Sequence, residues 1–373
     1  MFWSSAARPR CVGLLRCWSL TVGPRTPTTP PCPLGLPKFF SISAPTKSPS
    51  HGEVNQPLKR WAVAVSPFCT VRAQLGCSIS IRPLDPHTHP EADRVLITVH
   101  GADSEQEVGA GHLHVHYDER SKELLISAEK VESSLSIDLA APVKSNLFIT
   151  TRGKGHVQVE KMECDICKVQ TEKGDCLLHS VKGHQVEVHS QGGHVTGVGT
   201  IHGNVDISTR GDSGVDVKKL QGTKMNISTE RGPLKVKAIY AESSCVSSCS
   251  GRVEVGNVHD GSNSFLQVSS HSGDIDVYVG DGGSAELHSQ EGAVCVRVPS
   301  SLKAALELCG TSVDISPEVV LHGLENKTAD GQTTVTGYIN GEPPVDQRVE
   351  ARADRNSVRL KTQSWFESLK LGS

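Results

Sequence analysis

Between Asn146 and Val298, apolar and polar residues alternate with period two in short runs, and the runs recur as one phrase. The phrase is an aliphatic residue, a spacer, Ser or Thr, a short polar turn ending in Gly, then two aliphatics at alternate positions. The first copies read Ile149-Thr151-Gly155-Val157-Val159, Val169-Thr171-Gly174-Cys176-Leu178, Val188-Ser190-Gly193-Val195 and Ile207-Thr209-Gly214-Val215-Val217. The next are Ile227-Thr229-Gly232-Leu234-Val236, Val246-Ser248-Gly251-Val253-Val255, Val268-Ser270-Gly273-Ile275-Val277 and Leu287-Ser289-Gly292-Val294-Val296. Steps of 20, 19, 19, 20, 19, 22 and 19 residues separate the Ser/Thr positions. Period-two alternation broken by Gly and polar residues is a strand-and-turn pattern. Nineteen residues trace roughly 60 Å of extended chain, enough for one coil of two or three short strands and too little for a propeller blade.

The predicted fold is therefore all-β: a single β-solenoid, like a parallel β-helix, of about 19-residue coils with irregular β caps. Stacked coils put the aliphatic columns into one thin core and turn Gln158, Thr196, Asp216, Lys235, Glu254 and Asp276 outward. Lys235 beside Glu254, and Arg252 beside Asp274, would be opposite charges on neighbouring coils. The Ser/Thr column is expected to bond turn backbone, and the turn glycines to supply positive φ. Less regular strands are expected at Phe68 to Pro83, Val95 to Val99, His112 to Tyr117, Leu124 to Ala128 and Leu135 to Leu139. After the repeat, Leu302 to Ile315 reads as a further coil, followed by strands at Thr333 to Ile339 and Val358 to Lys361. Trp365-Phe366 could plug one end. Aromatic residues make up only 4% of the chain, so a large core has to come from repeated aliphatics.

Charge divides the chain. Residues 1–57 carry six basic residues and one acid, Glu53, and the rest carries 32 basic and 40 acidic residues, a formal charge of −8. Met1 to His51 has no acid and is rich in Arg, Ser, Thr and Pro, the composition of a mitochondrial transit peptide. Its apolar run Val12 to Leu20 is broken by Gly13, Arg16 and Ser19, against a secretory signal; a disordered tail is the other alternative. The division is thus 1–57 leader, 58–145 N-terminal β segment, 146–300 regular repeats, 301–361 C-terminal coils and closing hairpin, and 362–373 tail. An acidic body argues against nucleic acid, and no stretch reaches the ~20 apolar residues of a membrane helix.

With these residues in view, the run from about Val63 to Lys361 resembles the bacterial putative-adhesin domain of unknown function. Gly273-Asp274-Ile275-Asp276-Val277 is the best copy of its coil pattern, Pro142 and Val298-Pro299 echo its strand ends, and Gly331 to Leu360 resembles its closing segment. A leader ahead of such a domain also resembles a vertebrate member. The resemblance implies a β-solenoid linked to adhesion and carries over no catalytic residue.

Five features bear on chemistry. His112, His114 and His116 share one face of a strand, adjacent imidazoles ~7 Å apart; because Leu113 and Val115 define the buried face, they read as solvent-facing and metal-free. Arg210-Gly211-Asp212-Ser213 is an integrin-type tripeptide that reads as a turn. Asp274 and Asp276 share a face but lack a third acid or base at a matching offset, and no nucleophile elbow, phosphate loop or H-E-x-x-H occurs. Cys164 and Cys167 form a CxxC without a second pair, and Cys245 and Cys249 are four apart; zinc wants four ligands, so these read as reduced thiols. Asn226 and Asn326 begin glycosylation sequons that matter only in a secretory setting.

The expected protein is a non-enzymatic binding or scaffold protein without catalytic residue, metal or cofactor, presenting a long, mostly acidic face to a protein partner in the mitochondrion, in the matrix by its leader. The alternative is a secreted or surface carbohydrate-binding or carbohydrate-active β-helix; a cytoplasmic location is the third possibility. Localisation separates them, and so does the scarcity of aromatics to line a glycan groove.

Overall fold

The computed structural model describes residues 57–101, 113–128, 134–258, 264–281, 283–341 and 347–364. Seven strands precede the repeat: β1 (Pro57–Ala64), β2 (Thr70–Leu75), β3 (Ser78–Pro83), β4 (Arg94–His100), β5 (Leu113–Asp118), β6 (Glu123–Ala128) and β7 (Ser136–Ala141). The repeat begins with β8 (Asn146–Thr151), β9 (Val157–Glu160), β10 (Glu163–Thr171), β11 (Cys176–His179) and β12 (Lys182–Ser190). It continues through β13 (Val195–Thr209), β14 (Val215–Thr229), β15 (Leu234–Ser248), β16 (Val253–Val258), β17 (Ser264–Ser270), β18 (Ile275–Val279), β19 (Gly283–Ser289) and β20 (Val294–Val298). Six strands follow: β21 (Ala304–Gly310), β22 (Ser312–Ile315), β23 (Leu321–Ala329), β24 (Gln332–Ile339), β25 (Arg348–Ala353) and β26 (Ser357–Thr362).

These strands hydrogen-bond into one continuous ladder that bends twice per coil and so forms two walls around a thin core. Wall one stacks β8, β10 and β12, the C-terminal halves of β13, β14 and β15, then β17 and β19, all parallel. Wall two stacks β9 and β11, the N-terminal halves of β13, β14 and β15, then β16, β18 and β20. The β-solenoid expected from the period is thus the observed fold. In β13 and β14 the two walls join without a break, and register shifts at Gly197/Thr200 and His202/Val205 mark the bend.

One coil shows how the alternation becomes a core. Val205, Ile207, Thr209, Val215, Val217 and Leu220 point inward and are at most 4% exposed. Asp206, Ser208 and Asp216 alternate with them and face out, as period two requires. Each inward residue lies in register with its counterpart on the next coil, as in Val195↔Val215↔Leu234↔Val253↔Ile275↔Val294. The outward column Thr196, Asp216, Lys235, Glu254 and Asp276 is likewise in register.

The turn glycines depart from expectation. None of Gly155, Gly174, Gly193, Gly214, Gly232, Gly251, Gly273 or Gly292 has a positive φ. Glycine is required there because the turns stack backbone on backbone: a Cβ on Gly174 would lie 1.9 Å from the Gly155 carbonyl oxygen, and one on Gly193 2.0 Å from that of Gly174. The Ser/Thr column does cap these turns. Thr151 Oγ1 and Thr209 Oγ1 donate to the Gly155 and Ser213 carbonyls at 2.9 and 2.7 Å, and Ser190 Oγ accepts from Gly193 N–H at 2.9 Å. Beside it, a side chain on each coil accepts the turn N–H of the next. Ser78 takes that of His156, His156 that of Asp175, Asp175 that of His194 and His194 that of Gly214, at 2.8–3.1 Å.

Both ends of the array are out of chain order. The coil β2/β3 is inserted between β6/β7 and β8/β9, pairing in parallel with both. At the other end β25/β26, the last strands in sequence, lie between β19/β20 and β21/β22. Antiparallel strands finish the stack: β5 on β6 and β1 on β4 at one end, and the hairpin β23–β24 on β21 at the other. Trp365-Phe366 lies outside the described residues.

Candidate functional site

The outward faces of the two walls differ in chemistry. Wall two ties its charges together across coils: Lys235 Nζ to Glu254 at 3.9 Å, Arg252 to Asp276 at 3.6 Å and Arg359 to Asp314 at 2.9 Å. The Lys235–Glu254 pair is as expected, but Arg252 reaches Asp276 where the sequence pointed to Asp274. Asp274 is instead a turn residue whose carboxylate accepts the Ala293 N–H at 2.8 Å. Asp276 is also held by Arg297, a 6% exposed guanidinium that bonds Gln363 Oε1 at 2.7 Å. Both carboxylates of the pair are therefore committed to structure, and they do not converge on a shared site.

Wall one carries fewer charges in its middle. Asp206, Asn226, Cys245 and Gln267 stand in register on four successive coils, beside a parallel column of Ser208, Ser228, Ser247 and Ser269. Towards the N-terminal end Arg72 lies over the Phe148 ring at 4.7 Å and bonds Glu123 at 2.7 Å, and Lys168 pairs with Glu187 at 2.6 Å. Towards the C-terminal end come Glu286, Glu350 and Glu307, with Arg348 bridging the last two at 3.1 and 2.6 Å.

The remaining candidates divide. His114 and His116 are exposed on β5, the end strand of wall one, while Leu113, Val115 and Tyr117 pack on the core; His112 lies outside the described residues. The Arg210-Gly211-Asp212-Ser213 turn is a corner of the solenoid. Gly211 has φ +65° and donates to Glu230 at 2.8 Å, Arg231 holds Asp212 at 2.8 Å, and Ser213 is buried. Cys245 stands on the wall one face and Cys249 in a turn, both as free thiols.

Cys164 and Cys167 are both buried, because the alternation of buried and exposed positions along β10 is interrupted at Asp165 and Ile166, while the pairing with β12 keeps its 19-residue offset. Around Cys164 opens a groove of about 430 Å3 lined by Lys144, Glu163, Asp165, Lys182 and His184, with Phe68 at its edge. Sequence reading passed over these neighbours. The period itself signals them, since Lys144, Glu163 and Lys182 follow one another at 19 residues, as do Asp165 and His184.

The Toastrack DUF4097 family model matches residues 202–346, from within β13 to beyond β24. Among solved structures the chain is similar to a putative adhesin from Parabacteroides merdae, at 14% identity over 65% of this chain and 89% of that one, with a TM-score of 0.40. It is also similar to a putative adhesin from Bacteroides fragilis (12% identity, 82% and 96% covered, TM-score 0.29). A putative cell adhesion protein from Clostridium sporogenes is a third (10% identity, 83% and 100% covered, TM-score 0.21). Residues 202–346, within the β-solenoid, are thus similar to the Toastrack DUF4097 family. No helix among the described residues is long and apolar enough to cross a membrane.

Proposed function

We propose that this chain is a non-enzymatic binding or scaffold protein that presents the outward face of wall one to a protein partner in the mitochondrial matrix. The observation that carries the reading is the eight-residue patch of Asp206, Asn226, Cys245 and Gln267 beside Ser208, Ser228, Ser247 and Ser269. All but Gln267 are short side chains that lose little rotamer freedom when covered, and seven of the eight carry no charge to strip of water. Covering wall two would instead strip water from the charges paired across its coils. The leader supports the address: a segment without acids and with Arg8, Arg10, Arg16 and Arg25 is suited to import across an energised membrane.

Proximity labelling from the tagged full-length chain tests both parts. The expected result is a set of matrix proteins that includes one lost from the Ser228→Arg/Ser247→Arg double variant and kept by Thr196→Arg on wall two. Cytosolic or secretory labelling overturns the address, and a labelled set indifferent to the wall one variant overturns the face.

A further inference from the structure

We propose that the open edge of β23 pairs antiparallel with β23 of a second copy of this chain, on a two-fold axis at Asn326, so that two solenoids join through one sheet. The inference does not rest on the wall one patch, which lies on β13, β14, β15 and β17.

Among the described residues β23 pairs with β24 alone, and from His322 to Ala329 it is exposed on both faces. Val320, Leu324 and Tyr338, three of the five large hydrophobic side chains that face solvent among the described residues, belong to this hairpin and the residue leading into it. Asp330 and Gly331, with φ of 53° and 75°, form the type I′ turn of a two-residue hairpin. The pair flanking such a turn, Ala329↔Gln332, exchanges both backbone bonds, and the alternation then turns the backbone of Lys327 and Glu325 to β24 as well. The N–H and C=O groups of Asn326 and Thr328 are left on the open edge, where another strand can take them up.

Charge makes this edge fit its own copy. Edge-facing residues must meet edge-facing residues, so a strand laid antiparallel on itself has few registers, each with one residue on the dyad. A dyad at Glu325 sets that carboxylate opposite itself, and a dyad at Lys327 does the same to the ammonium; both are like-charge pairs. A dyad at Thr328 runs the pairing into the Asp330-Gly331 turn, and on the other side Gly323, with φ +62°, lies in the bulge that ends the flat stretch. A dyad at Asn326 sets Glu325 of each copy opposite Lys327 of the other, at positions where facing side chains approach most closely, and Leu324 opposite Thr328. Glu325 and Lys327 are 68% and 77% exposed and lie 3.4 Å apart within one copy, so two copies bring four charges of alternating sign together. A lysine on an exposed edge deters strand addition by an arbitrary partner. A second copy supplies the matching glutamate, which makes the edge selective for itself and the contact isologous.

Analytical ultracentrifugation of the full-length chain over a dilution series tests the contact. The expected result is a monomer–dimer equilibrium with a micromolar dissociation constant, as suits a short edge contact of less than about 1,200 Å2. Glu325→Lys and Lys327→Glu, each alone, set like charges against one another and should weaken the dimer at least about tenfold. Mixed in equal amounts the two variants should pair, since one chain then carries two lysines and the other two glutamates at the facing positions. The double variant Glu325→Lys/Lys327→Glu should restore the dimer. Asn326→Pro removes an edge-facing N–H that β24 does not use, so it should abolish the dimer and leave the circular dichroism spectrum unchanged. A wild-type chain that stays monomeric up to about 0.1 mM overturns the proposal. A dimer indifferent to Asn326→Pro overturns the edge, and single variants that fail to pair on mixing overturn the register.

Discussion

Replacing Gly251 by alanine tests the stacking that organises the whole array. A Cβ there would lie 1.9 Å from the Gly232 carbonyl oxygen, 2.6 Å from its carbon and 2.9 Å from the Arg231 oxygen. The obstacles are backbone atoms, so no rotamer change relieves them, and the turns must part by about 1.5 Å to reach an ordinary contact. The bonds that hold these turns together, Ser250 N–H to the Glu230 carbonyl at 2.9 Å and Leu234 N–H to that of Arg252 at 2.8 Å, would stretch beyond hydrogen-bonding range. Two lost bonds at about 1 kcal/mol each and overpacking of about 1–3 kcal/mol predict a loss of about 3–5 kcal/mol. Gly331→Ala is the contrast: its φ of +75° costs an L residue about 1–2 kcal/mol, but nothing lies within 4 Å of the new Cβ. Gly251→Asn separates the two possible reasons for glycine, since asparagine tolerates positive φ but is bulkier than alanine. Urea unfolding followed by circular dichroism should rank Gly331→Ala above Gly251→Ala, and Gly251→Asn no better than alanine. A Gly251→Ala chain within about 1 kcal/mol of wild type, or an asparagine variant milder than alanine, would refute the reasoning.

Three further outcomes are expected. Val215→Asp and Val253→Asp bury an unpaired carboxylate at positions no more than 1% exposed and should each cost several kcal/mol, while Asp216→Ala and Glu254→Ala on the outward column cost less than about 1 kcal/mol; equal shifts in melting temperature would contradict the register. Ending the chain at Gly341 removes β25/β26 from the interior of the stack, so amides of β19 and β21 should lose hydrogen-exchange protection; unchanged protection there would show that the inserted coil is dispensable. Replacing His112, His114 and His116 together with Gln should leave melting temperature and metal content as they were, and stoichiometric zinc or copper in untagged wild-type protein, lost in that variant, would contradict it.

The interlocked ends bear on how the chain reaches this state. The coil β2/β3 has a neighbour on each side only once residues 123–160 have folded, and β21/β22 is joined to the array only through the last strands made. Closing such non-local pairs costs loop entropy before they are rewarded, so the regular coils from β8 to β20 are the part expected to form first.

The period and the alternation were enough to fix most of what repeats. Because each coil closes within about 19 residues and side chains alternate strictly, inward valines, outward charges and the Ser/Thr caps could be assigned from residue identity alone. Strands that offer the core few large apolar residues, or none, were missed. β1 carries Lys59 and Arg60 side by side, β23 is exposed along nearly its whole length, and β25 offers only Val349, Ala351 and Ala353 to the core. Tertiary structure decided what depends on distance between coils. It set which strands close the ends, since several edges offer equivalent hydrogen bonds, and which aspartate Arg252 meets. It gave the turn glycines their reason in backbone contact rather than φ. Only the interruption of the alternation at Asp165 and Ile166 buries both Cys164 and Cys167, because unbroken alternation would have set them on opposite faces.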